Sequence, residues 1–275
     1  MRSTAAPVVV LATTVGKELG TALAKQGLGY LDLAGNCHVE LDGGNLTVHV
    51  EGRRNAARPS GTGSLRAAGY RVLFSLLADP RLLGLTVRDI GAAARASRHA
   101  VHSLIARLRD EGVLVRAGRS KHVYAPGGRE KCIDRFCTGW ADVLRGSLLA
   151  GRFRMREQDP PAIVQRIEQG LHAAKVRFGF GGAHGSSRWL HYLQGGEPVL
   201  HVEGWTPLLA RELGALPDRQ GPLHVFRTMT TLDLASGAAD TAHPLLIHAE
   251  LARSPDPRAR EAARLLLDRI ATEVG

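Results

Sequence analysis

Ser97-Arg98-His99-Ala100-Val101-His102-Ser103-Leu104-Ile105-Ala106-Arg107-Leu108-Arg109-Asp110-Glu111-Gly112 is the stretch on which the fold turns. Wound as a helix at roughly 100° per residue, it gathers Val101, Leu104, Ile105 and Leu108 on one face. That face belongs to a core. The opposite face carries His99, Ser103, Ala106 and Asp110, flanked by His102 and Arg107, with Arg98 at the N-terminal end. Ser97 is a good N-cap and Gly112 a good terminator. A recognition helix needs this division: a greasy face to seat it, and donors and small side chains to approach base edges.

The flanking sequence completes a winged helix-turn-helix over residues 65–130. Leu65, Ala68, Val72, Leu73, Leu76 and Leu77 mark a first helix that Asp79-Pro80 ends. Thr86 caps a second over Val87 to Ala94, and Ala96 is the short turn before Ser97. After Gly112, Val113-Leu114-Val115 and His122-Val123-Tyr124 read as two strands around Ala117-Gly118-Arg119-Ser120. This wing presents Arg116, Arg119, Lys121 and His122, placed for backbone contacts that position a protein on a duplex without reading sequence.

Charge singles out the same region. Residues 53–131 hold 16 Lys and Arg against 5 Asp and Glu, a net of +11, whereas the whole chain is +10. The basic excess therefore belongs to one segment, and double-stranded DNA is the partner such a field fits. Residues 53–64, Arg-Arg-Asn-Ala-Ala-Arg-Pro-Ser-Gly-Thr-Gly-Ser, contain no acid and almost no large apolar side chain. They form a basic linker by composition, which is either simply solvated or lends arginines, Arg53 and Arg54 among them, to flanking phosphates. The expected DNA contacts are thus Arg98, His99, His102, Ser103 and Arg107 on the helix, Arg116, Arg119 and Lys121 on the wing, and Arg53 and Arg54 on the linker.

On either side lie α/β units, so the fold class is α/β in the mixed α+β sense. Residues 1–52 read as a small α/β unit. Pro7 to Ala12 is a strand, Thr14 to Gln26 a helix stopped by Gly27, and Gly29 to Leu33 a strand. Cys37 to Leu41 and Leu46 to Val50 form a hairpin around Asp42-Gly43-Gly44-Asn45. Residues 131–159 read as a connecting helical segment, with Trp140, Val143, Leu144, Leu148 and Leu149 as its stripe over 131–155. Residues 160–275 form a C-terminal α/β domain. Its strands are expected at Val176–Phe180, Val199–Val202 and Leu223–Phe226, and its helices at Ala183–Leu193, Thr206–Leu213, Pro244–Ala252 and Pro257–Glu273.

At 275 residues and 44% hydrophobic content, two or three domains with real cores are expected, filled by aliphatic side chains because aromatics are only 5%. There is no apolar run of transmembrane length, and the N-terminus fits a first strand better than a signal peptide, so a membrane partner is not expected. Cys37, Cys132 and Cys137 have neither framework nor metal spacing and read as free thiols of a cytoplasmic protein. No cofactor, metal or catalytic residue is expected.

Two catalytic patterns come close. Asp32 followed by Glu51-Gly52-Arg53 after a hairpin is similar to a PD-(D/E)xK nuclease, whose carboxylates hold Mg²⁺. Arg53 stands where the Lys belongs, and Arg does not give up a proton. Asp32 has a plainer use as an acceptor of backbone N–H groups. The sequence Phe180-Gly181-Gly182-Ala183, then Gly185-Ser186-Ser187, makes the C-terminal domain nucleotidyltransferase-like, but the following strand offers only Glu203 where paired carboxylates are required. No G-x-S-x-G, Walker or H-E-x-x-H motif occurs. A non-enzymatic DNA-binding protein is the reading, with a metal-dependent nuclease targeted by the winged helix, and a sequence-independent binder in DNA repair or genome maintenance, as its alternatives.

Three further segments carry a resemblance. They are Gly29-Tyr30-Leu31-Asp32-Leu33-Ala34-Gly35-Asn36 with Val50-Glu51-Gly52-Arg53, then Ala68-Gly69-Tyr70-Arg71-Val72-Leu73-Phe74, then His243-Pro244-Leu245-Leu246-Ile247-His248-Ala249-Glu250-Leu251 with Asp256-Pro257-Arg258. Their order, over about residues 8 to 270, resembles the AbiEi-type antitoxin and transcriptional-regulator family of type IV toxin–antitoxin systems. The resemblance implies a winged-helix module joined to a C-terminal α/β domain. It also implies autorepression of a toxin operon, and neutralisation of a cognate toxin without a stable complex. It leaves open whether a toxin partner exists and whether the protein is a homodimer.

Overall fold

The computed structural model describes residues 8–12, 15–33, 35–41, 44–50, 65–118, 121–190, 192–193, 195–234 and 240–273. The chain divides into two units, Met1–Gly63 and Ser64–Gly275. The class is mixed α/β.

In the first unit, β1 (Val9–Ala12) runs parallel to β2 (Gly29–Asp32), joined by α1 (Lys17–Lys25). β3 (Cys37–Leu41) pairs antiparallel with β2, and β4 (Leu46–Val50) with β3, giving the order β1-β2-β3-β4. Gly27 closes α1 at φ 70°, a backbone shape that glycine adopts without steric cost. Asp32 is buried and accepts from the backbone N–H of Val15 (3.1 Å) and of Asn36 (2.9 Å) and from the Asn36 side-chain amide (2.9 Å). Its carboxylate staples the β2 end to the segment entering α1.

The second unit opens with α2 (Ala67–Ala78), whose residues from Val72 to Leu77 are all buried. Asp79 ends it. Its carboxylate accepts from the Arg81 backbone and pairs with the Arg81 guanidinium, which holds its pKa below the usual carboxylate value. A 3₁₀ turn over Pro80–Gly84 follows. Then come α3 (Val87–Ala93), capped by Thr86, and α4 (Arg98–Asp110), capped by Ser97, which accepts from Ala100 N–H at 3.2 Å. Gly91 lets the two helices close on each other, because a Cβ there would lie 2.9 Å from the Ala96 carbonyl. The hairpin of β5 (Leu114–Arg116) and β6 (His122–Tyr124) completes a winged helix-turn-helix.

The expected helical connection over 131–155 is right only in its first part. α5 (Gly128–Gly139) runs through a π-helical turn at Trp140–Leu144 into α6 (Arg145–Leu148), but Leu149–Arg154 is a strand, β7. The apolar stripe hides the change, because Leu148 and Leu149 satisfy both readings. The sheet has the order β10-β7-β11-β9-β8, with β8 at Phe178–Gly181, β9 at Val199–Val202, β10 at Leu216–Pro217 and β11 at Leu223–Arg227. Within it only β9 and β11 are parallel. α7 (Pro160–Ala173) and α9 (Pro207–Glu212) cover the face bearing Phe180, Leu200, Leu223 and Val225.

The other face of the sheet, bearing Phe226, meets α8 (Gly182–Leu190) and α10 (Pro244–Leu251), and α11 (Pro257–Glu273) packs on these two helices. These helices share a single hydrophobic core with α2, α4 and α5, running from Val72, Leu104 and Phe136 to Leu246, Ile247 and Leu266. Phe74 meets Phe136 at 5.2 Å and the His243 ring edge-on at 5.6 Å. The winged helix is therefore packed into the C-terminal part rather than tethered beside it. Among the described residues, no helix is long and apolar enough to cross a membrane.

Candidate nucleic-acid interface

α4 divides as its periodicity predicts. Val101, Leu104 and Leu108 are buried and Ile105 half-buried, while Arg98, His99, His102, Ser103, Ala106, Arg109 and Asp110 are exposed. The Ser103 hydroxyl lies 3.4 Å from His99 Nε2, one turn away, so these two polar groups share one patch. Arg98 stands at the helix start, where the free N–H groups and the positive end of the dipole also favour an anion.

Arg107 lies outside that patch. It is half-buried, its Nε donates to Glu111 Oε1 at 2.8 Å, and the other Glu111 oxygen is 2.7 Å from Arg135 on α5. The guanidinium thus ties the end of α4 to the helix behind it. Arg109, not singled out from the sequence, is exposed and close enough to the wing to act on His122. Burial, with the nearby cations Arg109 and Arg116, pushes the His122 pKa down.

On the wing, Arg116 and Lys121 are exposed. The Lys121 stem passes over Gly84, with carbons 3.7–3.9 Å from where a Cβ would stand, so its ammonium is carried on a supported stem. Arg98, Arg109, Arg116 and Lys121 have no ion-pair partner among the described residues. Arg119, Arg53 and Arg54 lie outside the described residues, as do Glu51 and Ser120.

The turn between α3 and α4 holds a residue that periodicity could not reveal. Arg95 follows α3 with φ 47°, and its guanidinium donates to Glu203 Oε1 (3.0 Å) and Thr228 Oγ1 (3.2 Å). Thr231 donates to the Ala93 carbonyl from both its N–H (3.0 Å) and its hydroxyl (3.1 Å). Glu203, the single carboxylate of the nucleotidyltransferase-like pattern, is engaged by this turn and by Arg177 at 3.5 Å. In the same region Glu250 accepts from Gly182 N–H (2.6 Å) and lies 2.6 Å from His201 Nε2. Among the described residues, no group of three or more His, Cys, Asp or Glu could hold a metal ion.

Against this geometry, one family model matches residues 129–272, described as transcriptional regulator, AbiEi antitoxin, type IV TA system. No curated protein matches the chain, and no solved structure does. The matched region starts with α5 and takes in the whole C-terminal sheet and its helices, more than half of the 275 residues. By that match, the chain belongs to the AbiEi antitoxin family of transcriptional regulators of type IV toxin–antitoxin systems.

Proposed function

We propose that this protein is a DNA-binding autorepressor that lays α4 in the major groove of its own operator and grips the flanking phosphates with its wing. One observation carries the reading: the exposed face of α4 and the wing present Arg98, Arg109, Arg116 and Lys121 without carboxylate partners among the described residues, in the segment that holds the chain's entire basic excess. His99, His102 and Ser103 face base edges, and Ala106 leaves room for close approach. Arg116, Arg119 and Lys121, with Arg53 and Arg54 of the linker, contact backbone. Arg107 contributes by holding α4 against α5 through Glu111. The division of labour follows the domains read from the sequence: residues 65–130 bind DNA, and residues 160–275 serve oligomerisation, DNA positioning or antagonism of a toxin without a stable complex. The site of action is the cytoplasm and no enzymatic step is involved.

The test is a titration of duplex carrying the protein's own promoter against scrambled duplex and single strand, with Mg²⁺ present and products run on a denaturing gel. Salt-sensitive preference for the promoter with intact DNA is the expected result. Equal binding to all duplexes sinks the repressor reading in favour of a sequence-independent binder. Cleavage that is lost on Asp32→Ala makes the protein a nuclease.

A further inference from the structure

α3 and α4 end in the same hydrogen-bonded motif with different residues at its critical place. In α4, Gly112 N–H donates to Arg109 O and Val113 N–H to Leu108 O, with Gly112 at φ 67°. In α3, Arg95 N–H donates to Ala92 O and Ala96 N–H to Gly91 O, with Arg95 at φ 47°. Both are Schellman closures, whose left-handed position suits glycine and strains any residue with a Cβ. α1 and α9 also close on glycines, Gly27 and Gly214. Lys175 after α7 is another exception, but its exposed ammonium has no ion-pair partner among the described residues. The Arg95 guanidinium, by contrast, is bound at two points across the fold. A costly backbone shape is kept where the side chain is used.

We propose that Arg95, Glu203, Thr228 and Thr231 form a clamp by which the C-terminal sheet sets the attitude of the recognition helix, making Glu203 a positioning residue for DNA binding. This deepens the function proposed above and rests on it. The clamp grips both sides of the helix-turn-helix turn. Thr231 holds the last carbonyl of α3, and Glu203 with Thr228 holds the residue two positions before the Ser97 cap of α4. Glu203 follows β9 directly, and Thr228 follows β11 directly, so the anchor points are the ends of neighbouring parallel strands. A strand end is a rigid mount, and a small tilt of α4 displaces every base-reading side chain on it. Half-exposed ion pairs of this kind contribute little to stability, so loss of the clamp should be felt in binding and not in folding.

The alternative role for Arg95 is a phosphate contact with which Glu203 competes, and the sign of one substitution separates the two. If the clamp positions α4, Glu203→Ala weakens promoter binding by roughly five- to tenfold, at the low end of coupling between sites. Glu203→Gln, which keeps an acceptor for the guanidinium, retains most of the affinity. Arg95→Gly weakens binding to a similar degree while its thermal midpoint stays level or rises, because the strain at φ 47° is relieved. The Arg95→Gly, Glu203→Ala double variant loses no more than either single one. Amide exchange at Ala96 and Ala100 quickens in Glu203→Ala without DNA present. Tighter binding by Glu203→Ala, or unchanged binding together with unchanged exchange, overturns the clamp. Wild-type protein that shows no duplex binding overturns the function on which the clamp rests. Exchange then decides the clamp by itself, with faster exchange upholding it and unchanged exchange overturning it.

Discussion

The winged helix and the C-terminal sheet are both rich in arginine, but the balance differs: α4 and its wing gather four open cations, whereas around the sheet open arginines such as Arg156, Arg211, Arg219 and Arg227 are interspersed with paired ones. Around the sheet and its helices, Arg152 pairs with Glu197, Arg154 with Asp218, Arg177 with Glu203, Arg188 with Glu168, and Arg264 with Glu261 and Asp268. On α4 and the wing, Arg98, Arg109, Arg116 and Lys121 have no ion-pair partner among the described residues. The histidines divide similarly. His99 and His102 are exposed, whereas His248 is buried and His243 half-buried among the C-terminal helices. A cation whose charge is already neutralised braces the fold, and one left open to water can displace counterions from a phosphate backbone. On the function proposed above, the open cations of α4 and the wing are the ones that meet DNA, and composition alone does not single them out.

The largest expected effect tests this contrast directly. If roughly 6 phosphates are neutralised, promoter affinity should fall about a thousandfold between 50 and 200 mM salt, read by fluorescence anisotropy. A slope near zero would place the open cations outside the interface.

Acid should strike the C-terminal side. Burial holds the His243 pKa down at about 4 from 6.5 against the opposing pull of a backbone hydrogen bond to Ala78, with the Arg129 cation adding to the lowering, while its Nδ1 accepts from Leu245 N–H at the start of α10. His184 and His248 are lowered as well, chiefly by burial. The folded state favours the neutral rings, so stability is full above about pH 6.5 and drains as pH falls from there towards 4. The His243 contribution is roughly 3 kcal/mol, measurable by urea unfolding at a series of pH values. His243→Asn, which keeps a side-chain acceptor without the titration, should flatten that dependence.

Base-reading and phosphate contacts should then separate within the interface. His99→Ala or Ser103→Ala should change sequence preference by about 1–3 kcal/mol at the contacted pair, seen as a changed promoter-to-scrambled ratio. Arg116→Ala or Lys121→Ala should weaken all duplexes alike and reduce the salt slope by about 1. The smallest effect belongs to the paired class: Arg152→Ala should leave DNA affinity unchanged and cost at most about 1 kcal/mol of stability, since its ion pair is partly exposed. A loss of promoter binding in Arg152→Ala would erase the contrast between the two regions.

Much of this was legible one helix at a time. Ser97, Thr86 and Gly112 mark the ends they were expected to mark, and the α4 stripe separates core from solvent as its spacing requires. The hairpin of β3 and β4 and the helix from Pro257 likewise match their local patterns. The strand β7 is hidden in the sequence because its first residues extend the stripe of the helix before it. The helix α7 is not among the expected elements, although Asp159 and Pro160 form a good start for it. Arg107 and Arg109 are two positions apart and equally basic, but one is tied to Glu111 and the other faces solvent.

By itself, then, the sequence determined the elements of the helix-turn-helix, the boundaries that caps and glycines impose, and the segment in which positive charge accumulates. These are properties of residues within a few positions of one another, and the backbone records them as periodicity. Tertiary structure decided which cations remain open, placed the winged helix and the C-terminal helices around one core, and joined Arg95 to Glu203 across 108 residues of chain. A pairing at that separation leaves no period to read, because neither partner's neighbours need change for the contact to form.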